Sequence, residues 1–350
     1  MQAQQFTWGT RGPDFTPLTV APDVAFMRTL LVNLFFVGNA EGWVLVDAGV
    51  GGGATAKRVI SAAEALFGEG ARPEAIVLTH GHFDHVGALK ELAEAWDVPV
   101  YAHRLELPYI TGRSSYPPPD PGVGGGAMAL LSFAYPRGPV DVGARALPLP
   151  ADGSVPGMPG WRWVESPGHT PGHVSLFREA DRFLIAGDAV VTTKQESALA
   201  VLTQREEVHG PPMYYTTDWR AARRSVERLA ALEPEIVATG HGVPLRGAEA
   251  GAAQIDLAAG FEALAMPTTG RYVGTPARAN EDGVTYVPPA PPNELPRILI
   301  GAAAAIVVGL AVVKLIRPRL QRRHDTALLA AGDGRPRDDA ELLPHHIAIA

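Results

Sequence analysis

Apolar runs and helical stretches alternate along most of this 350-residue chain. The segment LVNLFFVGNAEGWVLVDAG, residues 31–49, holds two β-rich runs around a Gly-Asn-Ala-Glu-Gly turn and predicts a hairpin. Helical spacing takes over in ATAKRVISAAEALFG. The run AIVLT, a helix through VGALKELAEAW and the run VPVYAH then form a βαβ-like alternation, so the class is α/β. Residues 116–126, YPPPDPGVGGG, can sustain neither helix nor strand and predict a loop or cover. Short strands return at WRWVES, HVSLF and RFLIAGD. TDWRAARRSVERLAAL predicts a helix capped by Thr217 or Asp218, EIVATG a strand, and a last helix falls at about 247–265. No internal repeat is visible.

The pattern changes near the end. From Ile298 to Val313, ILIGAAAAIVVGLAVV runs 16 residues without a polar side chain, and Lys314, Leu315 and Ile316 extend it to a basic cluster at Arg317, Arg319, Arg322 and Arg323. At about 1.5 Å per residue the run spans about 24 Å, or about 28 Å with a snorkelling lysine, enough for a single transmembrane helix over 297–317 that anchors the chain in a lipid bilayer. A buried helix packed on the body is the alternative. PPAPPNELP, residues 288–296, reads as a stiff spacer before it. Gly301, Ala305 and Gly309 lie four apart and could pair the helix with a copy of itself in a homodimer.

The chain has 30 Lys+Arg against 37 Asp+Glu; residues 291–350 hold 8 against 6, leaving 22 against 31 for the body. An acidic body without a basic stripe argues against nucleic acid as a partner. There are no cysteines, which excludes disulfides, thiolate ligands and a cysteine nucleophile. The first 30 residues lack a basic start followed by an apolar stretch, so no secretory signal is visible. The basic cluster alone favours a cytoplasmic tail. Without a signal to export the body, the expectation is a single-pass membrane protein with its body facing the cytoplasm.

Chemistry concentrates in LTHGHFDHVG, residues 78–87, where His80, His82, Asp84 and His85 follow the apolar run EAIVLT. Imidazole nitrogens and carboxylate oxygens suit zinc, iron or manganese, and crowding four such groups is unfavourable unless a cation compensates. A solvated polar turn is the bland alternative. Three further stretches share the design: SPGHTPGHVSLF with His169, FLIAGDAV with Asp188 and VATGHGVP with His241, each polar residue following an apolar run. These strand ends could converge on one edge, offering His80, His82 and His169 to one cation and Asp84, His85 and His241 to a second, with Asp188 between them.

The order His-x-His-x-Asp-His, then His, Asp and His, resembles the metallo-β-lactamase superfamily, in particular its glyoxalase-II-like and lactonase-like hydrolases, over roughly residues 25–250. The resemblance implies a four-layer αββα sandwich and two divalent ions, usually zinc with iron or manganese also compatible, held in that grouping. With the proline-rich spacer and the apolar run, the expected division is a catalytic domain at 1–270, a proline-rich linker at 271–296, the transmembrane helix at 297–317 and a basic, then mixed-charge tail at 318–350. It also implies that Asp47 in LVDAG supports the metal loop from behind. Two cations would activate a water near neutral pH, Asp84 would orient it or take its proton, and a small molecule with an activated carbonyl (thioester, lactone, ester or lactam) would be hydrolysed.

Tyr214 and Tyr215 could set a phenol over the substrate, as a tyrosine does in similar lactonases, or simply pack. Only the first of the His169/His173 pair ligates in similar proteins, which leaves His173 as a possible substrate contact. His103 is expected at a helix start, and His209, His345 and His346 have no partner motif. The glycine runs at 49–53 and 122–126 are turns, since neither precedes Gly-Lys-Ser/Thr. Two other functions compete. A mononuclear iron dioxygenase acting on a thiol or persulfide would need only His80, His169 and Asp188, and an inactive membrane-tethered binding protein would need none. Occupancy of all seven ligand positions favours the hydrolase.

Overall fold

The structure is a computed structural model and describes residues 15–291. The apolar run at 298–313, its small-residue stripe and the tail lie outside the described residues. Among those described, no helix is long and apolar enough to cross a membrane.

Two sheets form the centre. The first runs in sequence order: β1 (Leu18–Ala21), β2 (Val24–Thr29), β3 (Val32–Asn39) and β4 (Gly42–Val46) are antiparallel, and β5 (Ala75–Val77), β6 (Val100–Ala102) and β7 (Ala146–Pro148) join in parallel. Helices α1 (Gly52–Phe67) and α2 (Leu89–Trp96) make the crossovers that parallel pairing requires. After the short α3 (Leu107–Ile110) and α4 (Ala127–Leu131), the second sheet contains β8 (Trp161–Glu165), β9 (Val174–Arg178), β10 (Phe183–Ile185), β11 (Ile236–Ala238) and β12 (Leu245–Arg246), ordered β12-β11-β10-β9-β8. Helices α5 (Ala198–Thr203), α6 (Trp219–Ala230), α7 (Ala248–Ala259) and α8 (Phe261–Leu264) belong to this half.

The layering can be followed residue by residue along single strands. In β3, Leu34 and Phe36 join a core with α1 and α2 residues such as Val59, Leu89 and Trp96, whereas Phe35 and Val37 join Phe183, Ile185 and Ile236 between the sheets. In β10, Leu184 faces the other way, into a third core with Trp219, Val226 and Leu229 of α6. Successive strand side chains point to opposite faces, so a strand buried on both faces must be apolar throughout. That is why LFFV and FLI read as unbroken runs. The result is the expected αββα sandwich. Truncating Phe35 or Phe183, both fully buried, to alanine should cost about 3–5 kcal/mol.

Helix α6 shows the complementary pattern. Trp219, Ala222, Val226 and Leu229 are buried while Arg220, Arg223 and Arg224 face out. Of the two predicted caps, Asp218 serves: its Oδ1 accepts from the Ala221 N–H at 2.9 Å. The expected helix at 247–265 is two, α7 and α8, parted at Gly260.

The interval from residue 271, expected to be a proline-rich linker, holds regular structure as far as it is described. Strands β13 (Arg278–Asn280) and β14 (Gly283–Tyr286) pair in that interval, the Ala277 N–H donates to the Thr217 carbonyl and the Val284 N–H to Ser114 Oγ, so residues through 291 belong to the compact body. β1, β7 and β12 to β14, of two to four residues each, lack the continuous apolar runs that made the equally short β5, β6, β10 and β11 legible.

Candidate metal centre

Strand direction explains why distant motifs meet. Strands β4 and β5 are parallel, β10 and β11 are parallel, and β8 runs with β10 because both are antiparallel to β9. The C-terminal ends of all five therefore lie at one edge of their sheets. Asp47 directly follows β4; His80, Asp188 and His241 each stand three residues beyond β5, β10 and β11; and His169 lies just past β8. The edges are tied together where the Asn33 N–H donates to the Gly240 carbonyl at 2.7 Å and the Val174 N–H to the Thr79 carbonyl at 3.0 Å.

All seven candidate ligands gather there. His80, His82 and His169 form one group, Asp84, His85 and His241 another, and Asp188 joins His80 and His85 in a third that overlaps both. Asp188 Oδ2 lies 3.5 Å from His169 Nε2 and 3.1 Å from His241 Nε2, and Oδ1 lies 3.5 Å from His85 Nε2. Asp188 thus lies within 3.5 Å of imidazoles from both groups.

Hydrogen bonds settle which imidazole nitrogen faces inward. Thr79 Oγ1 donates to Asp47 Oδ2, so at 3.1 Å it accepts from His80 Nδ1–H. His85 Nδ1–H donates to Asp47 Oδ2 at 2.8 Å, and His241 Nδ1–H donates to the Leu31 carbonyl at 2.7 Å. Thr216 Oγ1 donates to the Pro212 carbonyl and accepts from His169 Nδ1–H at 3.3 Å. These four rings therefore turn Nε2 toward the centre. His82 instead presents Nδ1, 3.0 Å from His169 Nε2.

Burial at neutral pH would be costly for this set on its own. His80 Nε2, His85 Nε2 and Asp188 Oδ1 are buried without a hydrogen-bond partner. Orphaned imidazole nitrogen and carboxylate oxygen atoms, converging without sulfur, fit divalent metal binding.

Electrostatics divide the groups. Burial, reinforced by neighbouring imidazoles, holds His80 and His82 well below the usual histidine range and lowers His169 to about 3. For His85 burial also acts downward, but Asp188 and Asp47 more than offset it and raise the imidazole well above its usual range. Asp188 likewise raises His241 against burial. Burial acts upward on Asp188, yet His241 and His85 pull it well below the usual carboxylate range. Asp84, its side chain 18% exposed, is raised by desolvation.

Two of the possible substrate contacts have their polar atoms engaged within the fold. His173 accepts from the Asp188 N–H through Nε2 at 2.9 Å and donates from Nδ1 to Ser166 Oγ at 2.8 Å. Ser166 passes the polarity on to Ser175, which donates to the Ala186 carbonyl. With both nitrogens engaged and burial lowering its pKa to about 3, His173 orients the Asp188 loop and does not face a substrate. The Tyr215 hydroxyl donates to the Pro136 carbonyl at 2.9 Å; its ring lies 4.3 Å from the His82 ring and walls the site. Tyr214 keeps its hydroxyl without a hydrogen-bond partner among the described residues, and burial, with Asp84 the next influence, holds that phenol well above its ordinary pKa.

His103 stands just before α3 as expected, and His209 lies outside the three groups. The Pro/Gly stretch does act as a cover, since Tyr116 at its start rests 4.4 Å from the His82 ring. The supporting residues Thr79, Glu106, Tyr116, Ser166 and Thr216 escaped the sequence reading. Thr79, immediately before His80, and Ser166, which opens SPGHTPGHVSLF, stood in motifs that could have flagged them.

The model of the metallo-beta-lactamase superfamily matches residues 27–241. The chain is 46% identical over 230 residues, 65% of this chain and 86% of the relative, to the probable metallo-hydrolase YflN of Bacillus subtilis (strain 168). Against the probable metallo-hydrolase YybB of the same organism it is 29% identical over 212 residues, 60% of this chain and 80% of that one. A beta-lactamase domain protein from Burkholderia ambifaria shares the fold with a TM-score of 0.54 at 22% identity, covering 73% of this chain and 79% of its own. The matched span runs from β2 to the last candidate ligand, His241, and encloses every segment of the centre: the chain belongs to the metallo-beta-lactamase superfamily.

Proposed function

We propose that the protein is a dinuclear metal-dependent hydrolase of activated carbonyl compounds such as thioesters, lactones, esters or lactams. The observation that carries this reading is the set of second hydrogen bonds that turn the Nε2 atoms of His80, His85, His169 and His241 inward around Asp188, with His82 Nδ1 3.0 Å from His169 Nε2. Two divalent cations, when bound, supply Lewis acidity and lower the pKa of water toward neutrality. His80, His82 and His169 would hold one, Asp84, His85 and His241 the other, and Asp188 both.

Asp84 is the candidate ligand open to solvent, and its carboxylate can orient a water and accept its proton. The protonated Tyr214 phenol can donate to the oxyanion that develops on the carbonyl. Phe83, Tyr135 and Tyr215, whose rings lie within 6.3 Å of one another, shed water from the approach. The iron dioxygenase alternative leaves Asp84, His85 and His241 without a task. Metal analysis of the purified chain, with a hydrolysis screen over thioesters, acyl-homoserine lactones and β-lactams, tests the proposal. One iron per chain and no hydrolysis of any of these would overturn it.

We also propose that the apolar run at 298–313 anchors this body to a membrane, on its length and lack of polar side chains. Fractionation of the full chain beside a version ending at Asn293 checks it; equal solubility of both without detergent would remove the anchor.

A further inference from the structure

Behind the three-imidazole half lies a carboxylate that the chemistry above does not use. Glu106, fully buried just before α3, touches both loops that carry that half. Its Oε2 accepts from the Gly81 N–H at 3.1 Å and from the Tyr116 hydroxyl. Its Oε1 accepts from Thr170 Oγ1 at 2.8 Å and from the Gly172 N–H at 2.7 Å. Gly81 separates His80 from His82, and Thr170 follows His169. A single side chain thus joins two loops that are far apart in sequence.

The donor set specifies a carboxylate. An ionised carboxyl offers about four acceptor sites, and here each oxygen takes two donors. One donor on each oxygen is a backbone N–H, which cannot reverse its role. An amide in place of the acid would set its NH2 against one of them.

The glycines flanking these donors fit the same picture. Neither Gly81 nor Gly172 has a positive φ, so turn geometry does not demand them. A Cβ on Gly81 would lie 2.7 Å from the Tyr116 hydroxyl, and one on Gly172 would lie 2.9 Å from Glu106 Cγ and Oε1. Both positions stay bare so that the backbone can reach the carboxylate and its partner. The Tyr116 ring is stacked on Tyr109 at 3.8 Å and leans on His82, so the same anchor also sets the surface against which the His82 ring rests.

We infer that Glu106 is a positioning residue that holds the His80–His82 loop and the His169 loop at the mutual spacing one cation requires, so that metal affinity of the three-imidazole half depends on it. The inference rests on the dinuclear reading proposed above. The other half is supported differently, by Asp47, which accepts from His85 directly and meets His80 only through Thr79, and by the Leu31 carbonyl behind His241.

Titration of the metal-free full chain with Co(II), followed by visible absorption, tests this, with His169→Ala identifying the equivalent that belongs to the three-imidazole half. In Glu106→Gln that equivalent should bind about 10- to 100-fold more weakly while the other stays near its parental affinity, the range typical for supports behind metal ligands. Tyr116→Phe removes one of the four donors, keeps the ring stack, and should shift the same equivalent in the same direction by less. It decides the question by itself if Glu106→Gln does not fold. Parental affinity at both halves, equal weakening of both, or selective weakening of the Asp84/His85/His241 half would each overturn the inference. A parent chain that takes up no Co(II) would overturn the metal centre itself, a different and recognisable result.

Discussion

The two halves of the centre are built from the same residue types in opposite electrostatic states. His80, His82 and His169 are fully buried and held neutral, their nearby carboxylates being Asp188 and, behind the loops, Glu106. Asp84, His85 and His241 mix acid and base, with Asp188 raising both imidazoles against burial, Asp47 adding to it at His85, and Asp84 reaching solvent. A buried set of neutral nitrogens is a place to hold a cation firmly. A half with an exposed carboxylate is a place to handle a proton.

Removing Asp188 should erase the distinction, since its oxygens face His169, His241 and His85 at once. Asp188→Ala is expected to lose tight binding at both halves, by at least about 100-fold each, and turnover with it. Elemental analysis after gel filtration checks this; two retained metals would mean that the halves are independent. Asp84→Asn should separate holding from catalysis. The amide oxygen can still coordinate but the group cannot take a proton, so kcat should fall by about 10²- to 10⁴-fold while metal content falls far less. Steady-state kinetics beside metal analysis read both, and unchanged kcat would remove Asp84 from the chemistry.

A finer cut falls on the first half alone. Thr216→Val leaves His169 Nδ1–H buried without an acceptor, and metal affinity there should drop about tenfold with the second half unchanged. Competition with a chromophoric chelator measures it, and equal loss at both halves would show that the supports are shared.

The smallest effect is on the metal-free protein. His169 and His173 titrate at about 3 when folded against an ordinary value of 6.5, so between those limits the unfolded chain binds protons that the native one does not. Their contribution to stability is therefore lost as pH falls below 6.5. His85 and His241 act oppositely: raised in the fold, their contribution is complete below 6.5 and lost as pH rises through their folded values. The melting temperature in chelator should thus fall by a few degrees on either side of an optimum near neutrality. A steady rise in Tm from pH 7 to pH 4 would contradict this assignment of the two sets.

The candidate ligands were legible because each is a rare polar type placed directly after an apolar run, and strand ends are where an α/β sheet exposes side chains to a common edge. Asp47 was legible for the same reason. Glu106, Thr216 and Ser166 were not. Glu106 and Thr216 support the centre from segments with ordinary composition, Glu106 through partners 10 to 66 residues away and Thr216 through His169, 47 residues away, while Ser166 opens the His169 motif but looks there like any turn serine. Tyr214 and Tyr215 looked alike as neighbours, yet one hydroxyl is consumed by the Pro136 carbonyl and the other is not.

What the sequence determined by itself was the order of elements, the apolar strands that must be buried on both faces, and the identity of the side chains gathered at one edge, since these follow from periodicity and from the cost of burying polar groups unpaired. Only the tertiary structure decided which nitrogen of each imidazole faces inward, that His173 serves the Asp188 backbone, and that a glutamate clamps two distant loops. Those outcomes depend on hydrogen-bond geometry of a few tenths of an ångström between segments far apart in the chain, and local sequence pattern carries no record of such distances.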